Sequence, residues 1–584
     1  MKLDDFREIW CVDFEFNQPP GDLPDPICLV ATEIRTGRWL RFFKDDIPKT
    51  APYFLGNDSL FVAFAAPADL FCHIALGWKL PCHVFDCFAE FRNCTNSVDK
   101  SDQRANLLSA LAYFHIPHST SEEKEKMRKL AERGSPWSEQ ERASLLQYCE
   151  SDVIPLPALF RKLATGIALA QALERGRYTK AVAVMESIGV PIDADTLSEL
   201  RRKWVNIHLE LISRVDDQYH VFDGTHFRFD RFEKWLADRQ IDWPRTATGR
   251  PQTDAETFRD MALAHPEVGL LHQLRATLGS MKLESLSVGR DGRNRVSLKP
   301  FASLSSRNQP STSKFIFGPA TWIRYLIKPR PGYAVAYIDF NQQEFAVAAV
   351  LSEDRAMQHA YLTADPYLEF AKQAGAVPRD ATKKTHGVVR DLYKTCCLAV
   401  MYGMHAKSLA LRIGKSEIEA QRLLHHHRKV YPKFWEWSDR VVDHMQLIGR
   451  YATSSGWSVR RNYRALSDHH KRSVRNFPVQ ATGADILRLS CCLGIERGVR
   501  ICAPVHDAVL VEALLSGIED TVSTTRAAMA EASRSILGGF EIRTEATVFT
   551  DRFRDERGAF TWRLVRELLR TCQPEQEQCS LWGT

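Results

Sequence analysis

Short apolar runs alternate with stretches of helical period over the first 160 or so residues. FREIWCVDFEF, PICLVATEI and SLFVAFAA read as strands, and ADLFCHIALGW, RANLLSALAYF and SEQERASLLQYCESD as helices, which predicts an α/β domain. Pro155 and Pro157 punctuate its end. From 158 to about 300 the pattern is helical and charged. The run DADTLSELRRKWVNIHLELISRV predicts a long amphipathic helix with capping-type Asp and Thr at its start. From about 300 a mixed body follows, with KPRPGYAVAYIDF and ICAPVHDAVLVEA as its clearest strands. In the second, His506-Asp507 separates two apolar runs as the turn of a hairpin does.

A chain of 584 residues exceeds what one hydrophobic core supports, so two to four domains are expected. The 14 cysteines lack CxxC spacing, and the adjacent pairs Cys396-Cys397 and Cys491-Cys492 suit neither zinc nor a disulfide framework, so buried thiols in a reducing compartment are expected. The start, MKLDDFREIW, leads into no signal peptide or membrane-spanning run, so a cytoplasmic protein without membrane contact is expected. The net charge of +6 is unevenly placed. Residues 1–160 hold 17 Lys and Arg against 24 Asp and Glu, so the rest of the chain carries the positive excess. An acidic-site domain joined to a body that meets a polyanion fits that asymmetry.

In WCVDFEFN, Asp13 and Glu15 point to one face of a strand and repel unless something neutralises them. A solvated acidic edge and a divalent cation both answer that need. Three further acids bear on the choice. Asp69 follows the apolar strand LFVAFAA at the head of a helical stretch, a common place for functional groups. Tyr148 and Asp152 in LLQYCESDV are four apart and share one helix face. Asp86, in HVFDCFAEFR, is read as structural. DxE, a lone Asp and YxxxD together resemble the DEDD exonucleases of the tyrosine-bearing subclass, which remove nucleotides from a 3′ end. The resemblance implies a ribonuclease H-like α/β fold. It implies one metal ion on Asp13, Glu15 and Asp152, a second on Asp13 and Asp69, and Tyr148 orienting the attacking water. Ala65 stands where that family usually has Asn, which puts the rate of such a site in question.

In YIDFNQQEF an aliphatic strand ends in Asp339, and Glu344 follows five residues later. In RDLYKTCCLAVMYGM, Arg390, Lys394, Leu398 and Tyr402 form one slowly drifting helical stripe: two cations suited to a polyphosphate, then an apolar and aromatic end suited to a base. The chain here resembles the family A DNA polymerases, the DNA polymerase I type. DFNQQEF matches motif A, RxxxKxxxxxxxYG motif B and VHDAV motif C. RSVRNFPVQATGADI resembles the primer–template segment, and SLSSRNQP and RTATGRPQTD resemble upstream family signatures.

That resemblance implies an α+β right-hand polymerase over 166–584, following an exonuclease domain over 1–165. The thumb would span about 185–295, the fingers about 352–440, and the palm about 166–184, 296–351 and 441–584. It implies two Mg²⁺ ions per active site, with Mn²⁺ as an alternative, held by Asp339, Asp507 and the Phe340 carbonyl. Gln342, Glu344, Tyr367, Arg390, Lys394, Leu398 and Tyr402 would bind the nucleotide, with Glu344 as the gate against ribose. Arg307, Asn308, Gln309, Arg472, Asn476, Gln480 and His506 would line primer–template DNA. The implied partners are primer–template DNA, dNTPs, a single-stranded DNA 3′ end, and a replisome or processivity factor, with the chain a monomer. Departures from the family are Leu398, Tyr367, Ala346, Ala508 and Pro504. A phage-type enzyme in a bacterial or phage-infected cell, without an additional 5′-nuclease domain, is expected. The rival readings are a single-subunit RNA polymerase, which Glu344 argues against, a polymerase with an inactive exonuclease domain, a nuclease with a decayed polymerase half, and a non-catalytic nucleic-acid-binding scaffold. The triplet His425-His426-His427 is not read as a metal site, because consecutive helical residues point in different directions.

Overall fold

The computed structural model of the chain describes residues 2–98, 105–117, 121–246, 248–280, 283–318, 320–461 and 466–573. Ala247 of the RTATGRPQTD run and most of the polar tail lie outside the described residues.

The N-terminal unit is a five-stranded sheet of β1 (Glu8–Asn17), β2 (Asp25–Glu33), β3 (Trp39–Phe43), β4 (Ser59–Ala63) and β5 (His83–Asp86) in the order β3-β2-β1-β4-β5. β1 is antiparallel to β2 and parallel to β4, and β5 is parallel to β4. Both faces are covered, which explains why the strands read as nearly continuous apolar runs. Trp10, Val12 and Phe14 pack on one side with Leu29, Phe61 and Leu70, and Ile9 and Cys11 on the other with Val30, Val62 and Cys149. Period-2 alternation therefore puts Asp13 and Glu15 on the face of Ile9 and Cys11. α1 (Pro67–Ala75) follows β4 and α2 (Cys87–Thr95) follows β5; α3 (Ser121–Arg133) and α4 (Glu139–Val153) lie along β1. A full capping box between Ser138 and Glu141 starts α4.

α5 (Leu169–Ile188) joins this unit to the rest. A side chain at Gly176 would collide with the Val84 carbonyl, so glycine lets the helix meet β5 backbone to backbone. One residue earlier, Arg175 pairs bidentately with Glu90 of α2 at 2.6 and 2.7 Å, both side chains buried. The amphipathic run predicted from the sequence forms α6 (Ala194–Asp216), capped by Asp193, which accepts from the Thr196 N–H.

The C-terminal body is built on β6 (Tyr333–Phe340), β7 (Ile501–Val505), β8 (Ala508–Leu514) and β9 (Thr544–Phe549), in the antiparallel order β7-β8-β6-β9. α7 (Gln343–Leu351), α8 (Pro366–Gln373), α9 (Lys383–Met401) and α10 (Glu417–Val430) follow β6 in the chain. The 29-residue α11 (Asp468–Glu496) precedes the β7–β8 hairpin, and α12 (Ile518–Ile536) packs on the sheet. The three histidines of α10 face apart. The His426 Nδ1 meets the Tyr393 hydroxyl at 2.8 Å, and buried His427 accepts from the Trp435 indole N–H at 3.1 Å. The described cysteines are all free thiols, most of them buried. No described helix is long and apolar enough to cross a membrane.

Candidate active sites

Two groups of acids emerge, one in each unit. In the N-terminal unit Asp13, Glu15 and Asp152 each offer an oxygen within 4.8 Å of the others'. β1 presents the first two, and α4, whose last turn crosses that face, presents Asp152 with Tyr148 one turn before it. Asp69 stands in the first turn of α1, nearly fully buried, and its Oδ1 accepts the Phe14 N–H at 3.1 Å, which ties it to β1 beside Asp13. Burial and the charge of Asp152 push the Asp13 carboxyl up to about 8. Burial and Asp13 hold Glu15 and Asp69 well above the carboxylate range. Such a set either keeps protons or takes up a cation that offsets its charge. Two contacts had no signature in the sequence: the Cys149 thiol donates to Asp13 Oδ2 at 3.5 Å, and Lys124 of α3 pairs with Asp152. A thiol in a helix and a lysine in the mixed-charge run EEKEKMRK look like core and solvated surface until the chain is folded.

Asp86 does other work. It caps α2 by accepting the Phe88 N–H at 3.0 Å, and it also accepts the Ala65 N–H at 3.0 Å. Ala65 is held with φ +60, a left-handed conformation that costs alanine more than it costs Asn. Ala65→Asn is therefore expected to stabilise the N-terminal unit by about 1 kcal/mol, seen as a later first transition in urea; an unchanged or earlier transition would show that the loop carries no such strain.

In the C-terminal body Asp339 is the penultimate residue of β6, flanked in register by Ala508 of β8 and Glu545 of β9. Residues directly opposite share a face, so Glu545 projects beside Asp339, a neighbour the sequence reading missed because β9 lies far along the chain. His506 (φ +59) and Asp507 make a two-residue turn between Val505 and Ala508. The turn is pinned to β6 by the Phe340 N–H donating to the Asp507 carbonyl at 3.3 Å. Burial and Asp507 push Asp339 up to about 7, burial also raises Asp507, and Asp339 Oδ1 is buried without a hydrogen-bond partner. A buried carboxylate oxygen left unpaired beside a second acid is the condition that a bound cation relieves.

Around this pair the predicted residues assemble unevenly. Gln342 takes a left-handed conformation at the head of α7, and Glu344 in its first turn accepts from Arg307 Nη2 and from the Tyr402 hydroxyl, each at 3.3 Å. Arg390 lies over the Tyr367 ring at 5.2 Å and donates to Asp365 and Asp391, both at 2.8 Å. Lys394, one turn further along α9, is exposed, Leu398 is half-buried, and Tyr402 is the cap residue that ends the helix. Arg307, Asn308, Gln309 and His506 line one cavity of about 610 Å³ with Tyr178 and Arg488. Arg472 lies elsewhere, against Gly403 and lining a separate cavity, with Asn476 and Gln480 following on α11. A larger cavity of about 940 Å³ runs between the two units from Phe16, Ala65 and Phe71 to Lys299 and Gln309, which also line the first cavity.

Folded-state carboxyls at about 8 and about 7 keep protons that unfolded carboxyls have already lost, so stability falls as pH rises through that range. Buried His73 and His427, held down at about 4 and about 3, act on the acid side of it. Without metal, the chain is expected to melt lower at about pH 8.5 than at about pH 6.5. Mg²⁺ should raise the melting temperature more at the higher pH, because it binds ionised carboxylates. The Asp13→Ala/Asp339→Ala double variant should lose most of that Mg²⁺ response while keeping the slope due to Glu186, a buried acid of α5 at about 8 that belongs to neither acid group. Thermal melts of both proteins with Mg²⁺ or EDTA check this, and an equal Mg²⁺ response in the double variant would exclude these sites.

Residues 318–548 match the family model described as "DNA polymerase family A". The chain is 26% identical over 385 residues to the thermostable DNA polymerase I of Thermus caldophilus, covering 61% of this chain and 45% of that protein. It is 24% identical over 386 residues to the DNA polymerase of Escherichia phage T5, covering 56% and 45% respectively. It thus spans about half the length of these curated relatives. A solved structure, the POL domain of Pol1 from M. smegmatis in complex with DNA primer-template and dNTP, superposes with a TM-score of 0.71 at 17% identity, covering 93% of this chain and 95% of that one. Residues 318–548 are thus similar to DNA polymerase family A, and the chain as a whole shares the fold of that polymerase domain.

Proposed function

We propose that the chain extends a DNA primer by template-directed addition of dNTPs and trims the primer's 3′ end by hydrolysis at a second site. The observation that carries the first activity is the meeting of Asp339 with Asp507 at the end of β6, with one carboxylate oxygen buried and unpaired. Asp339, Asp507 and the Phe340 carbonyl would hold divalent metal there, and Asp13, Glu15, Asp69 and Asp152 would hold it in the nuclease site. When bound, Mg²⁺ supplies Lewis-acid polarisation of the attacking oxygen and the phosphate.

The chain's own residues do the rest. Arg390 and Lys394 bind the triphosphate, and Asp365 and Asp391 keep the Arg390 guanidinium from collapsing onto other partners. Arg307 and Tyr402 hold the Glu344 carboxylate in one place, where it crowds a ribose 2′-hydroxyl. Arg307, Asn308, Gln309 and His506 meet the duplex on one side, and Arg472, Asn476 and Gln480 meet it on the other. The residues shared by the two cavities, Lys299 and Gln309, suit a single strand passing toward the nuclease site. In this reading residues 1–165 are the exonuclease domain, the β6–β9 sheet is the palm, 352–440 are the fingers and α6 opens the thumb.

The test is primer extension and primer shortening with Mg²⁺, using dNTPs or rNTPs. Extension with dNTPs well above that with rNTPs is expected, together with shortening when nucleotides are withheld. Equal use of rNTPs would reject Glu344 as the gate.

A further inference from the structure

The bases of α3 are mostly engaged with acids on the surface. Arg128 pairs with Glu125 and Glu132, Lys129 with Glu125, and Arg133 with Glu141. Lys124 instead reaches inward. Its Nζ lies 2.5 Å from Asp152 Oδ1, with the two side chains only 18% and 13% exposed, and 5.9 Å from the centre of the Tyr148 ring. An exposed ion pair of long side chains is worth little, but this one places a single positive charge at the edge of three clustered carboxylates. It does so on the Tyr148 side, where the resemblance to the tyrosine-bearing exonucleases puts the attacking water.

We propose that Lys124 is a catalytic residue of the nuclease site that binds phosphate: its ammonium offsets Asp152 in the metal-free chain and moves to a non-bridging oxygen of the substrate's 3′-terminal phosphodiester once Asp152 is taken by a divalent cation. This rests on the nuclease reading of the site. A flexible four-carbon arm ending in a point charge suits two successive partners. The lysine keeps its proton throughout. Water adds to phosphorus and the bond to the 3′ oxygen of the penultimate nucleotide breaks. That oxygen takes one proton from the water, and the other is released as the new 5′-monophosphate ionises. Positive charge held at the phosphorane lowers the barrier to this step.

The experiment compares Lys124→Met and Lys124→Arg with the parent, all in the full chain carrying Asp339→Ala to remove polymerisation. Single-turnover shortening of a mismatched primer is measured across Mg²⁺ concentrations, and Mn²⁺ binding without DNA is read by electron paramagnetic resonance. Lys124→Met should bind Mn²⁺ at least as tightly as the parent, because a competing cation has been removed, yet shorten primer about ten-fold or more slowly at saturating Mg²⁺. Lys124→Arg should recover most of the rate. Weaker Mn²⁺ binding by Lys124→Met with a full rate at saturation would overturn the proposal, leaving Lys124 as a prop for Asp152. Undiminished shortening with unchanged binding would overturn it as well. Failure of the parent to shorten any primer would instead remove the nuclease reading on which the proposal stands.

Discussion

Replacing Asp339 with alanine is expected to lower primer extension at least about a thousand-fold, a loss of about 4 kcal/mol of transition-state stabilisation, and to leave primer shortening intact. The size follows from position. Asp339 is fixed on a central strand between β8 and β9, and its side chain faces Asp507 across a turn pinned by backbone hydrogen bonding. No neighbouring side chain offers the same pair of oxygens from that strand. Ala508 opposite it contributes none, and Glu545 on the other side belongs to an edge strand and stands exposed. Loss of fold is separable from loss of chemistry. The carboxylate is buried beside another acid, so Asp339→Ala should be no less stable than the parent in EDTA at about pH 8. A quenched-flow extension assay paired with a melt in EDTA reads both. Extension that survives the substitution would reject the palm assignment.

The reciprocal loss is expected for Asp13→Ala: shortening falls at least about a thousand-fold while extension of a matched primer stays within about two-fold of the parent. Asp13 is the acid that the other three surround. Glu15 lies two residues along the same strand face, Asp152 meets it from α4, and Asp69 is held next to it through the Phe14 N–H. Removing it takes away the one carboxylate common to both proposed metal ions. The two sites share no acid and sit in separate sheets, so the effects should add independently. Shortening by the Asp13→Ala variant at the parental rate would place the nuclease elsewhere, and coupled loss of extension would show that the two units depend on each other.

The local placement of the candidate residues at both sites was legible in the linear sequence wherever one short segment carried it. Strand alternation gave the shared face of Asp13 and Glu15, helical spacing gave Tyr148 with Asp152, and two apolar runs around His506-Asp507 gave the hairpin. Each is a local consequence of backbone period, which survives without knowledge of the rest of the fold. Helical spacing also put Arg390, Lys394 and Leu398 on one helix, though Tyr402 falls at its end rather than on its stripe.

What the sequence could not give were relations set by packing between distant segments. The field that lifts Asp13 and Asp339 comes from burial, which depends on what covers a strand and not on the strand itself. Glu545 acquires its place beside Asp339 only through the register of β6 with β9. Lys124 acquires its place beside Asp152 only because α3 docks over the face that β1 and α4 build. Local pattern determined which residues could act, since side-chain direction repeats with the backbone. Tertiary structure alone decided which of them meet, because contacts between residues far apart in the chain are chosen by the shape and burial of whole elements.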